Sequence, residues 1–67
     1  MLLKSIRNYE DDYYYYVIFQ AVSGDREGQY NLHIYSKRFG NQEYLEWYST
    51  FEDAEAVIFA KSKDAYS

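Results

Sequence analysis

Residues 13–22 read YYYYVIFQAV, and this stretch decides the fold. Aromatic and β-branched residues suit a pleated surface, so the segment from Tyr13 to Val22 is predicted to be a β-strand. Alternation divides it into two apolar faces: Tyr13, Tyr15, Val17, Phe19 and Ala21 on one, and Tyr14, Tyr16, Ile18 and Val22 on the other, with only Gln20 polar. We therefore expect a central strand that is covered on both faces.

Two further strands are predicted towards the C-terminus. After a polar loop with two glycines at residues 23–28, apolar and polar residues alternate from Gln29 to Lys37, which is the pattern of a half-buried strand. Gly40 and Asn41 suit a tight hairpin turn because both residues tolerate positive φ. Alternation resumes from Glu43 to Ser49, so three strands are expected in meander order.

The period changes after Ser49. A stripe of residues then recurs at helical spacing: Phe51, Ala54, Val57, Ile58 and Lys61. This stripe predicts a helix from Phe51 to Lys63. Ser49 or Thr50 can cap the helix, with Glu52 or Asp53 completing a capping box.

The first twelve residues are less regular. Leu2, Leu3 and Ile6 form either a short edge strand that ends in an acidic turn at residues 9–12 or a loose tail. The predicted fold is α+β, a single domain over residues 1–67, with a three- or four-stranded antiparallel sheet and one C-terminal helix packed on one face. The residues expected to be buried are Phe19, Leu32, Ile34, Val57 and Ile58.

The composition limits how so short a chain is stabilised. A chain of 67 residues buries only about 60% of the surface that it exposes when unfolded. The absence of cysteine excludes disulfides, and a single histidine does not make a zinc site, so we expect no metal or cofactor. Ten tyrosines, four phenylalanines and one tryptophan indicate an aromatic core instead. No membrane-length apolar run or secretory signal is present, and we expect a soluble cytoplasmic protein.

No catalytic constellation is recognisable. His33 is the only histidine, it lies within a predicted strand, and neither cysteine nor a glycine-flanked serine accompanies it. The carboxylates of residues 52–55 are typical of a solvated helix start. The loop between Gly24 and Gly28 lacks the Gly-Lys-Ser/Thr of a phosphate-binding loop. We therefore expect that the protein is not an enzyme.

The surplus of aromatic residues favours binding to another macromolecule, because tyrosine and tryptophan are enriched in protein interfaces. The predicted partner-binding residues are aromatic, namely Tyr14, Tyr16, Tyr35 and Trp47, or acidic, namely Glu10, Asp11 and Asp12. Acidic groups at phosphate-like spacing suit the basic groove of a nucleic-acid enzyme. Direct nucleic-acid binding is disfavoured by a net charge of −4 and scattered basic residues. The alternative is a module that stacks single-stranded nucleic acid on an aromatic sheet face.

Three alternatives remain for what packs on the second apolar face: the N-terminal segment, a second copy in a homodimer, or a different protein. We expect a homodimer, or a monomer that docks its open face on a target. In composition the chain resembles the small acidic, tyrosine-rich proteins with which bacteriophages inhibit host defence or nucleic-acid enzymes, anti-CRISPR proteins among them. The resemblance implies an inhibitor or regulator, and it assigns no residues because it includes no defined motif.

Overall fold

The computed structural model describes the backbone of residues 1–66 and the side chains of residues 1–63. Its elements, in chain order, are β1 (Leu2–Glu10), β2 (Tyr14–Ser23), β3 (Tyr30–Ser36), β4 (Gln42–Tyr48) and α1 (Phe51–Tyr66). The strands form one antiparallel sheet in the order β1-β2-β3-β4. The α+β prediction is therefore confirmed in its four-stranded form. The N-terminal segment is a nine-residue edge strand paired with β2.

Side-chain oxygens and left-handed glycines close the hairpin turns. The Asp11 carboxylate accepts the backbone N–H groups of Tyr13 and Tyr14, at 2.8 and 2.7 Å, and so holds the β1–β2 turn. In the β3–β4 turn the Gly40 amide donates to the Ser36 carbonyl at 2.9 Å, and the φ of Gly40 is 70°. Gly40 alone supplies the left-handed conformation there, because no described non-glycine residue, Asn41 included, has a positive φ.

The hydrophobic core lies between α1 and one face of the sheet. Its fully buried members are Tyr16, Ile18, Leu32, Ile34, Ala54 and Ile58. Each large apolar side chain buried in this way contributes about 1.5–3 kcal/mol. The predicted core was right for Leu32, Ile34 and Ile58, whereas Val57 is only partly buried. It was wrong for Phe19, because odd-numbered residues of β2 point away from α1, and this ring is half-buried on the other face.

The start of α1 is fixed by one of the two predicted caps. The Thr50 hydroxyl accepts the backbone N–H of Asp53 at 3.2 Å, so Thr50 and not Ser49 is the N-cap. The first turn is anchored to the sheet by the ring of Phe51, which packs edge-on against Tyr30 with 6.0 Å between centroids. Among the described residues, no helix is long and apolar enough to cross a membrane.

Candidate protein-binding face

No other strand or helix of the described residues packs on the face of the sheet opposite α1. Cross-strand partners place their side chains on the same face of an antiparallel sheet, so the register fixes its composition. Its central residues form three rows across the strands, namely Glu10–Tyr15–Tyr35–Gln42, Asn8–Val17–His33–Leu45 and Ser5–Phe19–Asn31–Trp47. We call these twelve residues the open face.

The open face is packed, and six of its twelve residues are aromatic or aliphatic, namely Tyr15, Val17, Phe19, Tyr35, Leu45 and Trp47. Tyr15 is 47% exposed and Leu45 is 48% exposed. The neighbouring side chains half-bury Val17, Phe19, His33, Tyr35 and Trp47. The rings of Phe19 and His33 contact each other with 4.7 Å between their centroids. Ring packing of this kind restrains rotamers before a partner binds, which lowers the entropy cost of association.

The polar groups at the centre of the open face bind one another. The contacts of His33 fit the tautomer in which Nε2–H donates to Asn31 Oδ1 and the single lone pair of Nδ1 accepts from Tyr35 Oη or Gln42 Nε2, each at 3.1 Å. Asn31 Nδ2 in turn donates to the carbonyl of Glu46 at 3.1 Å. Burial lowers the pKa of His33 and favours this neutral form. Both ring nitrogens of His33 and the side-chain amide of Asn31 therefore already have partners within the sheet.

Two cations flank the open face at diagonally opposite corners. Lys37 Nζ lies 4.9 Å from the ring centroid of Tyr15 and forms an ion pair with Glu10. The hydrogen bond to Glu10 raises the pKa of Lys37, so this amine stays charged. At the other corner, the guanidinium carbon of Arg26 lies 4.8 Å from the ring centroid of Trp47. The charged groups therefore lie at the rim, while the centre is neutral.

The two edges of the open face differ in shape. Beside β1 lies a hollow of about 520 Å³ that is lined by Asn8, Tyr9, Glu10, Tyr15, Tyr16, Val17 and Tyr35. β1 contributes only small or polar side chains to the central rows, since the irregularity between Ser5 and Arg7 places Arg7 opposite Ile18, on the α1 side. β4 contributes the bulky side chains of Leu45 and Trp47. A shallow, open depression therefore lies beside β1, and β4 carries larger side chains.

The four predicted aromatic binding residues are divided between the two faces of the sheet. Tyr35 and Trp47 lie half-buried on the open face, whereas Tyr14 and Tyr16 face α1. Tyr16 is 1% exposed, and its prediction as a binding residue is corrected, because even-numbered residues of β2 point into the core. Tyr14 is half-buried, with Lys61 Nζ 4.5 Å from its ring centroid.

The three predicted acidic residues also have different surroundings. Glu10 is exposed at the corner of the open face and is paired with Lys37. Burial acts to raise the pKa of Asp11, but hydrogen bonds from the Tyr16 hydroxyl and two backbone amides outweigh it and lower this pKa. The Asp11 carboxylate therefore stabilises the β1–β2 turn. Asp12 is exposed in the same turn.

Sequence reasoning did not select several residues that make up the open face: Tyr15, Val17, Phe19, His33 and Leu45. Alternation had grouped the first three correctly. The missing information was which of two apolar faces of β2 the helix covers, and hydrophobicity could not decide between them. His33 and Leu45 were harder to assign to this face, because their placement depends on the register of both the β2–β3 and the β3–β4 pairs.

Among the described residues, no three histidine, cysteine or carboxylate side chains lie close enough together to hold a metal ion. No protein-family model matches the chain, and no curated protein or solved structure is detectably similar to it.

Proposed function

We propose that this domain binds another protein through the open face and so acts as an inhibitor or regulator. The observation that supports the proposal is an uncovered sheet face on which exposed Tyr15 and Leu45 lie beside a half-buried Trp47. Large, rigid aromatic side chains with a polar atom provide much of the affinity in protein interfaces.

The distribution of polarity on this surface supports a protein partner. Protein interfaces combine an apolar centre with a polar rim, and charged residues are depleted at the centre. The open face follows this pattern, because its middle row carries Val17, His33 in its neutral form and Leu45. Its charged residue, Glu10, lies at one corner with Lys37, and Arg26 lies at the opposite corner.

The net charge supports a basic target, such as a nucleic-acid enzyme with a basic groove. A formal charge of −4 steers a basic partner during diffusional encounter. Acidic side chains away from the open face, including exposed Glu52 and Asp53 at the start of α1, contribute to that field. The open face would then supply the apolar contact.

The proposal is tested with a matched pair of variants. Leu45→Asp places a charge on the open face, and Phe59→Asp places the same charge on α1, where the ring is 55% exposed. A protein captured by the parent and by Phe59→Asp, but not by Leu45→Asp, should then bind the purified parent in calorimetry. A target that binds both variants equally would refute a role for the open face.

One observation favours the alternative function, binding of single-stranded nucleic acid. Lys37 and Arg26 lie against the rings of Tyr15 and Trp47, and rings next to cations on an uncovered sheet are the pattern on which bases stack. Fluorescence anisotropy with oligothymidylate and oligouridylate separates the two functions. Salt-sensitive micromolar binding that is lost in Tyr15→Ala would establish the alternative, and no binding favours a protein partner.

A further inference from the structure

We infer that, in the absence of another partner, a second copy of this chain covers the open face and forms a twofold sheet-on-sheet dimer. The inference rests on the proposed function in one respect, namely that the open face is a binding surface. It adds the identity of one occupant and the register in which that occupant sits.

The shape of the open face is self-complementary. A symmetric dimer requires one surface to fit itself, so that residue i contacts residue j of the other copy and j contacts i. A twofold axis parallel to the strands and between β2 and β3 places β4 of one copy over β1 of the other. The middle row of one copy then faces the middle row of the other, with the strand order reversed. Leu45 therefore lies over the other copy's Asn8, and Val17 lies over its His33. The exposed Leu45 side chain then enters the hollow beside Asn8.

The same arrangement fits the remaining rows. Trp47 lies over the small Ser5 of the other copy, and Tyr15 lies over Tyr35. Sheets that pack face to face have their strands rotated by up to about 30° relative to each other. This rotation displaces the outer rows more than the middle row, so the middle-row contacts should be the most accurate.

Charge also favours this surface for self-association. Two copies with a net charge of −4 each repel one another, and they can approach closely only where carboxylates are few or neutralised. Glu10 is the one carboxylate of the open face, and Lys37 pairs with it. The twofold arrangement places Glu10 over the neutral Gln42. No two like charges therefore face each other in the three rows.

The interface that one face of this sheet can form is small. The whole face of the sheet, four strands spaced at about 4.8 Å and the seven residues of β3 and β4 at about 3.3 Å per residue, has roughly 440 Å² of projected area per copy. Corrugation by side chains raises the accessible area buried by both copies to about 1,000–1,300 Å², the lower limit for specific interfaces. Interfaces of this size are typical of weak, transient complexes, so we expect a reversible dimer.

Sedimentation velocity over a broad range of protein concentrations tests the inference. The parent should shift from monomer to dimer, Leu45→Lys should raise the dissociation constant at least tenfold, and Phe59→Lys should leave it unchanged. Circular dichroism checks that each variant is folded. A parent that stays monomeric to its solubility limit would overturn the inference, as would equal weakening by the two lysine variants.

A charge-pair experiment tests the register. Leu45→Lys and Asn8→Asp should each weaken self-association. A mixture of the two should form a heterodimer, because one contact pairs Lys with Asp and the other keeps the original Leu45 and Asn8. Absence of a heterodimer, with both variants folded, would overturn the proposed arrangement.

These results are separable from those that test the proposed function. A monomeric parent that still loses its target through Leu45→Asp would overturn the dimer and leave the binding face intact. A dimer broken by Leu45→Lys, with a target that binds Leu45→Asp normally, would support the dimer and refute the proposed function.

Discussion

Replacing Ile58 by alanine should detach α1 from the sheet. Ile58 is 2% exposed and packs with the fully buried Ile18 and Leu32 on the helix-facing side of the sheet. Truncating such a residue costs about 2–5 kcal/mol, through lost transfer free energy and the cavity that remains. A core in a chain this short supplies about 3–5 kcal/mol of stability, so the variant should be largely unfolded at room temperature.

Phe19→Ala is the control, because it removes a larger side chain from the opposite face of the same sheet. A fully buried phenylalanine costs about 3–5 kcal/mol when truncated, and the half-buried Phe19 should cost about half as much. Urea denaturation followed by circular dichroism, at a protein concentration below the dimer range, measures both. If Phe19→Ala destabilises the protein as much as Ile58→Ala, or more, the assignment of the core to the α1 side is wrong.

Three other substitutions probe single interactions. Asp11→Asn should cost about 1–3 kcal/mol by weakening the turn and the bond from Tyr16. Because the pKa of Asp11 is lowered in the folded state, its carboxylate contributes stability above its ordinary pKa of 3.8, and this contribution is lost as pH falls through the folded pKa. The loss of stability on acidification should therefore be smaller in Asp11→Asn. Thr50→Ala should cost about 0.5–2 kcal/mol in urea denaturation by removing the cap bond to Asp53. Burial lowers the pKa of His33, so stability should fall as pH drops from 6.5 towards the folded pKa, and His33→Gln should flatten that limb.

The sequence predicted the elements because their signals are local. Alternation from Gln29 onwards and the change of period after Ser49 each lie within one element, and the strands and helix start within one residue of their predicted places. The N-terminal strand was ambiguous because the irregularity between Ser5 and Arg7 breaks the alternation of β1.

The candidate binding surface was only partly predictable, because it depends on a choice between two similar faces. Tyr16 and Tyr15 are the same residue type in adjacent positions, yet one is 1% exposed and the other 47%. The difference arises when α1 packs on the face formed by Ile18, Leu32 and Ile34, whose residues pair across β2 and β3. Tyrosine suits either side, since its ring packs in a core and its hydroxyl binds water or a partner.

A partner bound to the open face would stabilise the fold as a whole. A ligand present at one hundred times its dissociation constant stabilises the folded state by about 2.7 kcal/mol, which is comparable to the entire stability expected of a chain this short. The open face presents Phe19, and the other face of the same strand carries the buried Ile18, so a partner on one side holds the strand to which α1 is packed on the other. A surface of exposed Tyr15 and Leu45 therefore favours association in two ways, by removing apolar area from water and by shifting the folding equilibrium. The apparent stability of the parent should accordingly rise with its own concentration, and that of Leu45→Asp should not.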